Sequence, residues 1–177
     1  YPDGKMIVTR AYERPIRAND PLQLFEIFAA SEPKAACCHF VQLGNDLFSL
    51  GCSPENVFEL SNGQLAFDVV AGTRGIAEDP EVDARWLAAL KNDPKELREH
   101  ALAFSRYLAR IKALTIPGSV REEKRMETLT MGKVRHLYSR LVGAIRPDLD
   151  WPSLLAESFP ALSSYPDPLK ALSEEPD

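Results

Sequence analysis

Long apolar runs are missing from this chain, and so is any excess of positive charge. No uninterrupted hydrophobic stretch approaches the roughly 20 residues that a membrane-spanning helix needs, so no membrane partner is expected. Twenty-one Lys and Arg stand against 26 Asp and Glu, a net charge of -5. Without a basic run or patch, a surface that tracks nucleic-acid phosphates is not expected either. Cysteine is scarce: Cys37, Cys38 and Cys52 are the three present. An odd count, an adjacent pair that bridges poorly and no CxxC or Cys/His spacing argue against a disulfide framework or a zinc site. They read instead as reduced, buried thiols in a cytoplasm. The start has no signal-peptide pattern, and the chain carries no internal repeat and no low-complexity tract.

What is present suits a globular fold. The 177 residues are 45% hydrophobic and 27% charged, enough for one domain over 1–177 with a core of its own. Lys5 to Arg10 alternates around Met6, Ile7 and Val8 and predicts a short strand. Asn19-Asp20-Pro21 opens a helix with an apolar stripe of Leu22, Leu24, Phe25, Ile27 and Phe28. Strands are expected over 35–43 and 47–52, joined at Gly44-Asn45-Asp46, and over 57–60 and 64–70, joined at Ser61-Asn62-Gly63. Asn-Gly is the strongest short hairpin signal. After Thr73 the pattern turns helical, over 80–90 and then 94–114, ending at Pro117-Gly118. Leu97, Ala101, Phe104, Leu108 and Ile111 form the expected core stripe of that longer helix. A further helix is expected over 132–141, with 121–125 a mixed-charge surface loop, and Pro147 and Pro152 bracketing a turn. Trp86 and Trp151 read as core anchors, and His39 and His100 as structural. Consecutive antiparallel strands with separate helices make this an α+β chain: antiparallel β-sheets with helices packed outside.

The chemistry is concentrated in Asp93-Pro94-Lys95-Glu96-Leu97-Arg98-Glu99-His100. Asp93 caps the helix and Pro94 fits its first position. Glu96 and Glu99, three residues apart, share one face and point away from the expected core stripe, toward solvent or a cleft. Paired carboxylates are the ligands a hard cation such as Mg²⁺ takes. The plainer role for Glu96 is to bond back to the cap as the third residue of a capping box.

In chain order, Gly4-Lys5-Met6-Ile7-Val8-Thr9-Arg10, Gly51-Cys52-Ser53-Pro54-Glu55, Val69-Val70-Ala71-Gly72-Thr73-Arg74, Asp93 to His100 and Val134-Arg135-His136-Leu137-Tyr138-Ser139 resemble the chorismate-utilising enzymes. That family includes the anthranilate, aminodeoxychorismate, isochorismate and salicylate synthases. The resemblance runs from Lys5 to about Pro166. It implies a site between two antiparallel sheets, with Mg²⁺ on the substrate carboxylate. Glu96 and Glu99 would belong to the metal set, Gly72, Thr73 and His136 would contact chorismate, and Glu55 would be the acid that protonates the departing 4-hydroxyl. Members that add water carry a lysine matching Lys5 as general base, where ammonia-using members usually have glutamine. Aminodeoxychorismate synthases place a nucleophilic lysine at the position matching Ala71. Lys5 together with an apolar Ala71 therefore implies the isochorismate or salicylate synthase type, serving salicylate or siderophore synthesis.

The resemblance also implies what lies outside the match. The family's final third, with further metal glutamates, an arginine and tyrosine for the carboxylates and a glycine-rich segment, has no counterpart. Neither does its long N-terminal half-sandwich. Ser164-Tyr165-Pro166-Asp167 and Gly75-Ile76-Ala77 depart from the family's usual runs. The expectation is a truncated central portion of a synthase, not turning over by itself. Two alternatives stand beside it. One is a non-catalytic remnant that binds a ligand or self-associates through an exposed sheet face. The other is an ammonia-using, anthranilate-synthase-like enzyme.

Overall fold

The computed structural model describes residues 20–33, 35–53 and 55–158. The strand expected around Lys5, and the departures at 164–167, lie outside the described residues. The chain divides into two compact units, the smaller running from Val8 to Asn56 and the larger carried mainly by Val57 onward.

In the smaller unit, helix α1 (Pro21–Ser31) starts as expected: the Asp20 carboxylate accepts the Leu22 N–H, and Pro21 occupies the first turn. It packs on a two-stranded antiparallel hairpin, β1 (Cys37–Gln42) and β2 (Phe48–Ser53). The rings of Phe25, Phe40 and Phe48 follow one another at centroid distances of 5.8 and 5.7 Å, joining the helix to both strands. No α1 residue is fully buried, and Leu22, Ile27 and Phe28 are exposed. The cysteines depart from expectation. Cys37 and Cys38 are exposed and Cys52 is half-buried, since a two-stranded hairpin buries little of its own surface.

The larger unit is built on a four-stranded antiparallel sheet ordered β3-β4-β6-β5. β3 (Glu59–Ser61) turns into β4 (Gln64–Gly75) through Asn62 and Gly63, both at positive φ (51° and 72°), as a two-residue primed turn requires. Helix α2 (Pro80–Asn92) is capped by Asp79, and α3 (Pro94–Leu114) by Asp93, whose carboxylate accepts the Lys95 N–H at 2.9 Å. α3 stops at Leu114, just before Pro117-Gly118. Its cap residue Thr115 turns its hydroxyl back to Ile111 O at 2.6 Å. Alternate residues of β4, Leu65, Phe67, Val69 and Ala71, meet Ala103, Phe104, Tyr107, Ile111 and Leu114 of α3 to form the core.

Two segments differ from expectation. Residues 121–125 and 132–141 form neither a loop nor a helix but a hairpin, β5 (Arg121–Met131) and β6 (Val134–Ala144), turned at Gly132 with φ 50°. The apolar pairs Leu137–Tyr138 and Leu141–Val142 imitate helical spacing because β6 is a central strand, covered on both faces. After the hairpin, 151–158 is a short helix, α4 (Trp151–Ser158), with Leu154 buried. The tryptophans are not core anchors: Trp86 is 41% and Trp151 61% exposed. The buried stripe of α3 is also rotated from the expected one. It runs through Glu96, His100, Ala103, Phe104, Tyr107, Ile111 and Leu114, leaving Ala101 exposed.

Candidate functional site

The site is organised by an irregularity in β4. Up to Val70 its residues pair in regular register with β6, Val70 with Tyr138. Beyond the irregularity Thr73 pairs with His136, so β4 holds one extra residue in between. Such a bulge bends the strand and re-aims its side chains. Gly72 sits within it at φ +87°, a conformation that favours glycine. A side chain there would also press on Leu137 Cδ1 at 3.1 Å and Glu96 Oε2 at 3.3 Å. Any other residue at 72 would be strained by the positive φ and would have to push these neighbours back by a few tenths of an ångström.

Glu96 fills that approach. Its Oε2 accepts the Thr73 N–H at 3.1 Å, satisfying a backbone donor that the bulge takes out of the ladder. The carboxylate is buried, 7% exposed, and is turned to the strand rather than back to the helix cap. Glu96 therefore does not point away from the core stripe, as its spacing suggested; it belongs to it. Next along, Thr73 Oγ1 and His136 Nδ1 lie 2.9 Å apart. Burial lowers the His136 pKa below the ordinary imidazole value, leaving a neutral ring at physiological pH. The strand carrying it is tied down by Arg135, whose guanidinium donates twice to the Asp83 carboxylate of α2, both at 2.7 Å.

Lys95 bridges the two glutamates. Its ammonium lies 3.0 Å from Glu96 Oε1 and 3.3 Å from Glu99 Oε2, and these two contacts raise its pKa. The lysine side chain itself is 72% exposed. Among the described residues no three His, Cys, Asp or Glu side chains are grouped to hold a metal ion. The pair still fits one. Two hard oxygen donors converge, and a cation, the lysine ammonium, already rests against both.

Beneath the bulge lies His100, which reads as structural from the sequence, and the structure gives that role a specific form. His100 is 1% exposed; its Nδ1 lies 3.0 Å from Ala71 O and its Nε2 2.8 Å from Ser139 Oγ. A carbonyl only accepts, so Nδ1 carries the proton and the Ser139 hydroxyl donates to Nε2. Ser139 Oγ in turn accepts the N–H of Met126 at 3.0 Å, where β5 departs from regular pairing with Met126 at φ 53°. Desolvation lowers the His100 pKa and keeps the ring neutral. The signal was available in the spacing: His100 follows Glu96 by four residues, hence on one helix face.

The expected site residues thus fall into three groups. Gly72, Thr73, His136, Glu96 and Glu99 come together where β4, β6 and the first turns of α3 meet. Glu55 belongs to the smaller unit, two residues beyond β2, where its N–H and its carbonyl both engage Ser53 Oγ, at 3.3 and 2.8 Å. Lys5 lies outside the described residues.

The chorismate binding enzyme family model matches residues 4–172, and the chain belongs to that family. Anthranilate synthase component 1 of Streptomyces coelicolor is 30% identical over 157 residues, covering 89% of this chain and 30% of that protein. The chain therefore spans about a third of the length of such relatives. Two solved structures share the fold. A putative 2,3-dihydroxybenzoate-specific isochorismate synthase from Bacillus anthracis superposes with a TM-score of 0.74 at 21% identity, over 88% of this chain and 42% of that one. Anthranilate synthase component I from Streptococcus pneumoniae does so with a TM-score of 0.66 at 22% identity, over 85% and 31%. No helix among the described residues is long and apolar enough to cross a membrane.

Proposed function

We propose that this chain carries the chorismate-holding side of a Mg²⁺-dependent synthase that converts chorismate to isochorismate or salicylate. The observation that carries the reading is the linked run from Glu96 through Thr73 to His136, in a chain of the chorismate binding enzyme family. Glu96 and Glu99 would hold the metal, which when bound offsets the negative charge of the substrate carboxylate. The protein's own residues set the frame. Glu96 fixes the Thr73 backbone, Gly72 lets the strand come close, and Thr73 and His136 orient one another. A neutral His136 keeps one ring N–H to donate to a ligand oxygen. Glu55 is the proposed acid toward the 4-hydroxyl and Lys5 the proposed base toward water, one needing a raised and the other a lowered pKa. Lysine at position 5, with no amine at Ala71, favours water over ammonia as the incoming group.

The anthranilate synthase relative in the sequence comparison favours a second reading, an ammonia-using enzyme. One experiment separates the two. The purified chain is titrated with chorismate, with and without Mg²⁺, in ammonium-free and ammonium-containing buffer, while binding is followed by ligand-observed NMR and products by mass-resolved chromatography. Mg²⁺-dependent binding that Thr73→Ala and His136→Ala weaken, with any product being isochorismate or salicylate, supports the first reading. Anthranilate formed only with ammonium supports the second. Metal-independent binding, or none, overturns both for this chain.

A further inference from the structure

The cysteines play no part in that site, yet two of them face each other. Cys38 on β1 and Cys52 on β2 are direct cross-strand partners, and their sulfurs lie 3.0 Å apart as thiols. The pairing is of the close kind. The Leu43 N–H donates to Leu47 O at 2.8 Å, and hydrogen-bonded pairs alternate from there, so Cys38 and Cys52 form a non-hydrogen-bonded pair. In such a pair the Cα atoms approach to about 4.5 Å, within the range a disulfide spans. Cys37 lies one residue out of phase, so its side chain points to the other face of the hairpin. Cys38 is exposed, open to a small reactant.

We propose that Cys38 and Cys52 are a thiol–disulfide site, oxidised reversibly by a low-molecular-weight disulfide of the glutathione type. The Cys38 thiolate attacks one sulfur of the small disulfide, breaking its S–S bond and releasing one thiol. The Cys52 thiolate then attacks Cys38 sulfur in the mixed disulfide and releases the second. Two electrons pass from the protein to the small disulfide, and the two thiol protons end on the released thiols. The order follows from the pair itself. The hydrogen bond with Cys38, then burial, pushes Cys52 up to about 11, so it stays protonated while Cys38 is free. Once Cys38 is capped it is no longer a thiolate that accepts the Cys52 proton or sets a negative charge beside it, and that obstacle is gone. The bond would lock the end of β2 that leads to Glu55.

The test equilibrates the folded chain in glutathione buffers of graded potential, then alkylates free thiols and maps peptides by mass. The wild type should pass from three alkylated cysteines to one, with a Cys38–Cys52 cross-linked peptide and the loss of two hydrogens. Cys37→Ser should pass from two to none, and Cys38→Ser and Cys52→Ser should give no internal cross-link. Amide exchange should slow across the hairpin in the oxidised form only. Three alkylatable thiols at every potential, a lasting glutathione adduct on Cys38, a link through Cys37 or a covalent dimer would each overturn the proposal.

Discussion

The two halves of α3 pack on the same sheet by opposite means. From Ala103 to Leu114 the buried side chains are apolar apart from the Tyr107 hydroxyl, and they meet the alternate residues of a regular stretch of β4. From Glu96 to His100 the buried side chains are polar, and they meet the stretch where β4 is irregular. Apolar packing needs only volume and area, so it tolerates approximate partners. Polar burial needs each donor and acceptor answered, so it dictates identity atom by atom. The first turns of α3 therefore specify particular residues at the candidate site, and the remainder specifies a fold.

Substitutions can sharpen that contrast. The largest loss of stability should come from the apolar half. Phe67→Ala, removing a fully buried ring set against Tyr107, should cost about 3–5 kcal/mol in urea unfolding, with no selective effect on ligand binding in the fraction still folded. If the loss stays below about 1 kcal/mol, the core is looser than its contacts imply. In the polar half, His100→Leu keeps comparable volume but strands Ala71 O and the Ser139 hydroxyl. A cost of about 1–3 kcal/mol is expected. The double variant with Ser139→Ala should cost less than the sum of the two singles; strict additivity would mean that the hydrogen bond contributes nothing.

Gly72→Ala comes next. It forces a methyl into positive φ and against Leu137 and Glu96, for a cost of about 1–2 kcal/mol. Chorismate binding should fall more steeply than stability, because Thr73 shifts with the strand. Equal losses would separate the bulge from the site.

Acidity offers a milder probe. His100 and His136 both have pKa values lowered by burial from the ordinary 6.5, so between the folded and unfolded values the unfolded chain binds more protons. Their contribution is complete above about pH 6.5 and is lost as pH falls through the lowered values. Denaturation midpoints should therefore drop between about pH 7.5 and about pH 5.5, and the drop should shrink in His100→Gln. A midpoint independent of pH over that range would contradict the burial of neutral rings. The smallest stability effect belongs to Lys95→Ala, within about 0.5 kcal/mol, since the ammonium is solvated. That variant should bind Mg²⁺ more tightly by calorimetry, because it removes the cation that rests between Glu96 and Glu99. Weaker binding would show that the two carboxylates are not metal ligands.

Where local chemistry is self-sufficient, the sequence by itself was enough. Asp20-Pro21 and Asp93-Pro94 start helices because the cap and the proline act within one turn, and Asn62-Gly63 turns a hairpin because few other residues accept positive φ in succession. The order of the family motifs likewise picks out Gly72, Thr73, Glu96, Glu99 and His136, which the fold brings together. Tertiary structure decided the rest. Whether 134–144 is helix or strand depended on both of its faces being covered, which a one-dimensional pattern does not record. Glu96 turned inward, and His100 became the brace under Ala71, because the bulge between Val70 and Thr73 left backbone groups that those side chains reach. Such groups become unsatisfied only once the sheet exists, and their partners are chosen by distance in space rather than along the chain.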